Sequence, residues 1–464
     1  MTQRGLVLAG GGMRVAWQTG VVTALTEAGL TFDHLDGSSG GIFTTAMLLS
    51  GLTPDEMGER WRALDVRAFV SPLPLRSYLR SPTNWAAFGG ARGIRRTVLP
   101  QLGVDLGQVR RATTPTASFN VADFSTKRCV AVPHTEVDED LLVAGVSLAG
   151  VMPAVQRGDT AWTDAVWIKD ANLTETVRRG CTEIWVAWCI ANTPRWGTGA
   201  LEQYVHMIEM SAAAGLTAEL EWIADLNFRR RRGEIVLGSR HPVTVHLVRP
   251  ELPIPLDPDF ITGRIDAETL VAMGYRDTWR YLAGRDATGV PLDATPTATP
   301  ARDLGARLTL RADGRFDTLG PASTTVVLEA DDLAGVRTGG RFSAVGALRT
   351  QDCGYRMFSR ASAELVGRAA ERRLHVSACV GSGRGARSLD IETPLPVGSL
   401  AKARTQTWTL RDGAGGLVDR GVATMTPRQT IRALASFEPS GAHDLRGRGR
   451  AVRLAVDAVH RRAS

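Results

Sequence analysis

Gly5-Leu-Val-Leu-Ala9 runs into Gly10-Gly11-Gly12-Met13-Arg14, and one helix further on stands Gly37-Ser38-Ser39-Gly40-Gly41-Ile42. These two stretches decide the fold. The first is a short apolar strand closing on three glycines. Behind it Trp17, Val21, Ala24, Leu25 and Ala28 recur at helical spacing, so a helix is expected over 16–28. Phe32 to Leu35 is short enough for a second strand, and Ile42 to Ser50 reads as a helix closed by Gly51. Gly37-x-Ser39-x-Gly41 therefore lies between a strand and a helix. There a sharp turn lifts a serine hydroxyl above the sheet edge, with Gly37 and Gly41 leaving room for it.

Working outward, Ala117 to Val121 and Cys129 to Val132 look like paired strands. Glu183-Ile-Trp-Val-Ala-Trp-Cys-Ile190 is the continuous apolar run of a strand buried on both faces. Leu201 to Asn227 is one long helix or two, and Val243 to Val248 is another strand. This βαβα order predicts an α/β layer structure with a largely parallel central sheet. Residues 284–303 are rich in Pro, Thr and Ala without apolar period and read as a linker. Beyond them, Thr324 to Glu329, Gly340 to Leu348, Leu374 to Val380, Ala403 to Leu410 and Gly421 to Met425 are short alternating segments. They predict an all-β domain, sandwich or barrel, over 304–440. Residues 441–464 form an Arg-rich tail in which Val452, Val456 and Val459 could line one helical face.

The 464 residues call for two domains or three. At 44% hydrophobic and 22% charged residues the composition is globular, neither disordered nor fibrous. The net charge of +7 is carried almost wholly by arginine, since Lys127, Lys169 and Lys402 are the only lysines, and it fits a GC-rich genome better than phosphate binding. With 6% aromatics and no binding motif, nucleic acid is not expected as a partner. Cys129, Cys181, Cys189, Cys353 and Cys379 are scattered and odd in number, which argues against a disulfide framework and against a metal site. The N-terminus lacks an apolar signal region, and the longest apolar stretch, Leu141 to Val155, is short for a membrane span and contains Pro153. A cytoplasmic protein is the expectation.

The glycine run has two readings. Gly10-x-Gly12 before a helix, with Asp33 or Asp36 as the acidic residue, partly matches a dinucleotide-binding fingerprint, although Val15 replaces the third glycine. A nucleotide-dependent oxidoreductase is that alternative. The other reading is a row of backbone N–H groups aimed at an oxyanion, which explains why the run accompanies a nucleophile elbow. A Walker A loop fails, because no Gly-Lys-Ser/Thr follows. Ser39 needs a base. His34, His134, His206, His241 and His246 do not sit in settings that suggest a triad, which leaves a carboxylate as the better candidate.

Leu6 to Arg14, Gly20 to Leu25 with Gly29, and Gly37 to Ile42 together resemble the opening of a patatin-like phospholipase. Val146-Ser-Leu-Ala-Gly-Val-Met-Pro-Ala-Val155 is similar to the family's segment before its catalytic Asp. Thr163-Asp164-Ala165 sits where the family carries Asp-Gly-Gly/Ala. Pro253 to Phe260 and Met273-Gly-Tyr275 resemble the closing segment, so the likeness covers about 4–283. It implies a three-layer α/β fold and a lipid acyl hydrolase of phospholipase A or esterase type, working without cofactor or metal on a lipid or ester substrate. It implies a Ser39–Asp164 dyad, with Gly10, Gly11, Gly12, Met13 and Arg14 forming the oxyanion hole. Asp170 is the rival base, less well spaced from Gly180.

The chain departs from the family in three places: Val15 replaces a glycine, Ser38 and Gly40 flank Ser39 in place of Thr and Ala, and Ala165-Val166 replaces Gly-Gly. A catalytically degenerate lipid-binding or scaffold protein is the alternative these departures leave open. Arg229 to Arg232 reads either as a peripheral contact with anionic membrane surfaces or as a solvated helix end. Asn84-Trp-Ala-Ala-Phe88 could belong to a lid. Arg356-Met-Phe-Ser359 and Leu395 to Leu400 more weakly resemble a β-rich module of bacterial cholesterol-oxidase-like proteins, which implies lipid or sterol handling. The sequence does not set the oligomeric state.

Overall fold

Strand β1 (Arg4–Leu8) is apolar on both faces because it lies between two parallel neighbours, β2 (His34–Ser38) and β7 (Glu183–Ala187). The protein is described here by a computed structural model over residues 3–73, 87–190, 193, 196–197, 199–254, 266–299, 305–351, 354–367, 371–395, 404–440 and 445–460. It divides into two units, 1–299 and 300–464.

In the first unit, β3 (Thr116–Asp123) joins β2 in parallel and β8 (Thr244–Val248) joins β7 in parallel. As expected, the central strands β8, β7, β1, β2 and β3 run parallel, and antiparallel pairing on the β3 side makes the whole sheet mixed. β4 (Arg128–Pro133) and the hairpin of β5 (Val155–Arg157) and β6 (Thr160–Asp164) run antiparallel on the β3 side. Helices α1 (Ala16–Glu27), α2 (Gly41–Leu49), α3 (Pro54–Ala63) and α4 (Glu139–Gly145) precede that hairpin. α5 (Leu173–Arg178) and the unbroken 32-residue α6 (Ala200–Arg231) follow it. Leu216, Leu220 and Ile223 of α6 and Leu173 and Val177 of α5 pack against Val7, Ile184, Val186 and Val245 of the sheet. α1 crosses α7 (Ala267–Gly284) with backbones touching. A Cβ on Gly20 would lie 1.9 Å from the Val271 carbonyl oxygen, and one on Gly274 1.9 Å from that of Trp17.

The stretch read as a linker belongs mostly to this unit. Val290 N–H donates to Val245 O at 2.8 Å, Arg249 Nη1 donates to Pro296 O at 2.6 Å, and the hydroxyls of Thr217 and Thr297 lie 2.7 Å apart. Val290 and Leu292 pack on the α/β core. Two apolar anchors and a few backbone bonds suffice to seat a segment that has no periodicity.

The second unit is a barrel, not a sandwich. β9 (Gly305–Phe316), β10 (Gly320–Ala330), β11 (Arg341–Thr350), β12 (Gly354–Val366), β13 (Arg373–Val380), β14 (Arg387–Pro394), β15 (Thr405–Arg411) and β16 (Leu417–Thr424) form an antiparallel meander. β9 pairs with β10 along its length and with β16 at Asp313–Phe316, which closes the circle. β17 (Glu438–Ser440) takes the other half of that β9 edge. Closure removes the exposed strand edges. Phe316, Phe358 and Trp408 are fully buried inside. Leu333 and Val336 of α8 (Leu333–Gly339) pack with Ala306 and Ala330. α9 (Pro427–Ala435) lies between β16 and β17. The expected tail is in fact α10 (Leu445–His460), whose Ala451 is fully buried in the same cluster. Residues 84–86 of the suggested lid, 255–260 of the closing segment and 396–400 of the second resemblance lie outside the described residues.

Candidate active site

The site is assembled on one edge of β3. β4 occupies the far edge from Ser118 to Asp123, so β2 and β6 share the near one in succession. β2 pairs as far as Ser38↔Asn120, and β6 begins at Asp164↔Val121. Consecutive positions on β3 thus bring the residue after β2, Ser39, beside the last residue of β6, Asp164. Ser39 Oγ donates to Asp164 Oδ2 at 2.6 Å.

Ser39 occupies the left-handed region with φ 49°, the mark of a constrained turn. The next residues must be small: a Cβ on Gly40 would lie 2.3 Å from Gly12 O, and one on Gly41 1.9 Å from Leu8 O. Gly37 faces Thr45, where a Cβ would lie 2.5 Å from Oγ1. α2 starts at Gly41, so its N-terminal dipole lies beside the hydroxyl.

Asp164 is fully buried, and its Oδ1 accepts the Val166 N–H at 2.9 Å. Burial pushes its carboxyl up to about 7; the hydrogen bonds from Ser39 and Val166 oppose this, and the nearby Asp170 adds to it. Asp170 is also pushed to about 7 by burial, but its Oδ2 accepts from Trp188 Nε1 at 3.0 Å, and Ser39 is not its partner.

Of the glycine run, Gly11, Gly12, Met13 and Arg14 line a cavity of about 230 Å³ that Ser39, Gly40 and Asp164 also line. Two of the five expected oxyanion N–H groups are engaged elsewhere: Gly10 N–H donates to Asp170 O at 3.3 Å and Arg14 N–H to Gly11 O at 3.1 Å. Arg14 Nε also donates to Gly11 O, at 3.1 Å, and so braces the loop. The rest of the wall is apolar, with Phe43, Phe69, Ile94, Val151 and Met152 among its residues.

Residues 6–177 match the model of the Patatin family, described as patatin-like phospholipase. The first unit carries a patatin-like phospholipase domain. Among solved structures the chain is similar to VipD from Legionella pneumophila, at 13% identity over 61% of this chain and 67% of that one, with a TM-score of 0.34. No curated protein matches the chain.

The departures from the family pattern have local explanations in this patatin-like domain. Val15 is fully buried under the elbow, its Cγ1 2.7 Å from where a Cβ of Gly40 would stand. Ala165 and Val166 open a short 3-10 turn whose Val166 N–H holds the Asp164 carboxylate. No histidine is among the described residues lining the cavity. His34 stands at the other end of β2, where burial above all pushes it down to about 3. Asp36 has no exposure with which to meet a ribose, and its carboxylate accepts from Ser118 Oγ at 2.5 Å and Asn120 Nδ2 at 2.6 Å. Asp33 is taken by the Arg4 N–H at 2.7 Å. Arg230 is buried, with its guanidinium on the His241 and Val236 carbonyls, so the Arg229–Arg232 run is partly structural.

One set of residues was not visible in the sequence. Asn172 Nδ2 donates to Asn120 Oδ1 at 2.7 Å, and Lys169 Nζ donates to Asn172 Oδ1 at 3.3 Å and to Glu219 Oε1 at 2.6 Å. With Asp36 this makes a polar chain tying β2 and β3 to the turn before α5 and to α6. Only Asp36 carried any signal, and it suggested a different role.

Proposed function

We propose that the patatin-like domain is a lipid acyl hydrolase that cleaves carboxylic esters through an acyl-enzyme on Ser39, with Asp164 as the base. The observation that carries this reading is the 2.6 Å hydrogen bond from Ser39 to a buried carboxylate at the wall of an apolar cavity. Ser39 Oγ attacks the ester carbonyl carbon while its proton passes to Asp164 Oδ2. The tetrahedral oxyanion is received by backbone N–H groups of Gly11 and Gly12, joined by Gly40 at the head of α2. Met13 shapes the same wall and Arg14 holds the loop. The intermediate collapses, the C–O bond to the alcohol breaks, and Asp164 returns the proton to the leaving oxygen. Water then attacks the acyl-enzyme, its proton going to Asp164 and on to Ser39 Oγ as the free acid departs. A carboxyl held near 7 suits a base working close to neutral pH.

The apolar wall supports an acyl chain as the group bound. Phospholipid and neutral ester both present that chain, and a peripheral contact with anionic membrane belongs to the same proposal. The test is a lipid-panel hydrolysis assay with wild type, Ser39→Ala and Asp164→Asn, together with labelling by a fluorophosphonate ester. Hydrolysis by the wild type alone and an adduct on Ser39 are expected. A folded wild type that neither hydrolyses nor labels would leave the scaffold reading in its place.

A further inference from the structure

The barrel has a hollow that its own core does not fill. Phe316, Phe358 and Trp408 are buried without exposure inside it, with the rings of Phe316 and Trp408 5.4 Å apart. Elsewhere within the barrel unit a cavity of about 270 Å³ is lined by Leu308, Leu328, Phe342 and Leu374, with residues of α8, α9 and α10 completing the wall. It is larger than the cavity beside Ser39. Close-packed interiors seldom leave such a space, and largely apolar walls give water too few partners to occupy it stably.

Three polar side chains at this wall matter. Arg307 is neutralised by Glu329 at 3.0 Å and Glu438 at 3.5 Å. Thr393 is 2% exposed, and its Oγ1 has no hydrogen-bond partner among the described residues. Arg404 gives its Nε to Met425 O at 2.7 Å, and among the described residues no carboxylate pairs with its guanidinium. Thr393 belongs to β14, and Arg404 immediately precedes β15, the strand paired with it. A buried orphan hydroxyl and a cation without a carboxylate partner among the described residues, sharing one largely apolar wall, ask for one anionic acceptor with a long apolar body.

We propose that the barrel binds one long-chain fatty acid, its chain in the cavity and its carboxylate at Thr393 Oγ1 and Arg404. A carboxylate offers two acceptor oxygens to these two donors, whereas a sterol hydroxyl offers one oxygen and no charge. The site goes beyond the ester hydrolysis proposed for the other unit and does not depend on it.

The test is done on the full-length Ser39→Ala chain, so that the readout is binding alone and is indifferent to whether the first unit hydrolyses esters. Palmitate displaces cis-parinaric acid, and bound equivalents per chain are counted. Ala330→Trp, which fills the cavity from its wall, is expected to lose one equivalent while melting as the parent does. Thr393→Val with Arg404→Gln is expected to weaken palmitate by about tenfold, the worth of one charge-assisted hydrogen bond, and to leave hexadecanol unchanged. A folded Ala330→Trp chain that binds as many equivalents as its parent would overturn the proposal. If Ala330→Trp does not fold, the double variant decides, and palmitate binding as tight as the parent's overturns it. Displacement of the equivalent that Ala330→Trp removes by cholesterol or lysophosphatidylcholine as effectively as by palmitate also overturns it, because neither presents a carboxylate.

Discussion

The pH dependence of catalysis tests the dyad most directly, because the position of the base fixes its size. As the proposed base, Asp164 must be ionised to take the Ser39 proton, and burial holds it at about 7 in place of its ordinary 3.8. The sign follows: activity is lost as pH falls through about 7. Two pH units below that value roughly 1% of the carboxyl is ionised, so kcat/KM at pH 5 should stand about 100-fold below its plateau. An ordinary carboxylate would be more than about 90% ionised at pH 5 and would leave the profile nearly flat. The assay is kcat/KM for a short-chain ester at constant ionic strength, with the released acid quantified by chromatography. Asp170 supplies the control. Its charge helps to raise Asp164, and Asn at 170 can still accept from Trp188, so Asp170→Asn should move the acid limb to lower pH. A constant kcat/KM between pH 5 and 8, or a limb that Asp170→Asn leaves in place, would refute the assignment. Stability carries the opposite sign. A buried carboxyl with a raised pKa favours the folded state at low pH, and that contribution disappears as pH rises through about 7. Asp164→Asn should therefore raise the melting temperature more at pH 8 than at pH 5.

Three further perturbations follow from the geometry. Ser39 sits at φ 49°, so Ser39→Gly should abolish hydrolysis while stabilising the fold by about 1 kcal/mol, read from the denaturant midpoint; a lower midpoint would show that the elbow is unstrained. Gly274→Ala places a methyl 1.9 Å from the Trp17 carbonyl oxygen, a backbone atom that cannot step aside, so the α1–α7 crossing must open at a cost of about 3 kcal/mol or more in the same measurement. Asn172→Ala removes the bond to Asn120 at 2.7 Å and the cap on the Glu175 N–H at 3.3 Å, and should cost about 1–3 kcal/mol. If that network steadies the dyad, kcat should fall with KM unchanged, whereas a KM effect alone would place its role in the cavity wall.

What could be read in advance was local. Strand β1, the glycine run and the elbow lie within a few residues of one another, and their chemistry is written in adjacent side chains. Asp164 was reached through resemblance, because nothing in Thr163-Asp164-Ala165 tells that it will face Ser39. The antiparallel strands added at the β3 side of the parallel core escaped for a related reason: β5 and β6 are short and only partly buried, and their direction depends on where they join β3. The segment 285–299 has linker composition, yet Val290 and Leu292 seat it on the core. Period-two alternation foretold strands beyond 304, but the period is the same in a sandwich and a barrel. Closure rests on β9 pairing with both β10 and β16, a contact between the first strand and the last.

The decisive non-local feature is a register. Because β6 meets β3 at Asp164↔Val121, one residue beyond Ser38↔Asn120, a one-residue slip of β6 would turn the Asp164 side chain to the other face of the sheet. The register is pinned from outside the sheet. The Asp164 N–H donates to Ser147 O at 3.2 Å, and Thr163 Oγ1 donates to the same oxygen at 2.5 Å. Ser147 stands two residues beyond the end of α4, and its own hydroxyl bonds back to Val143 O at 2.7 Å. The segment from Val146 to Val155 therefore does two things: Val146, Leu148, Val151 and Met152 line the cavity, and Ser147 holds the strand that carries Asp164. A family-like segment standing just before the acidic residue thus has a physical reason to be there, since the cavity wall also sets the register of the carboxylate.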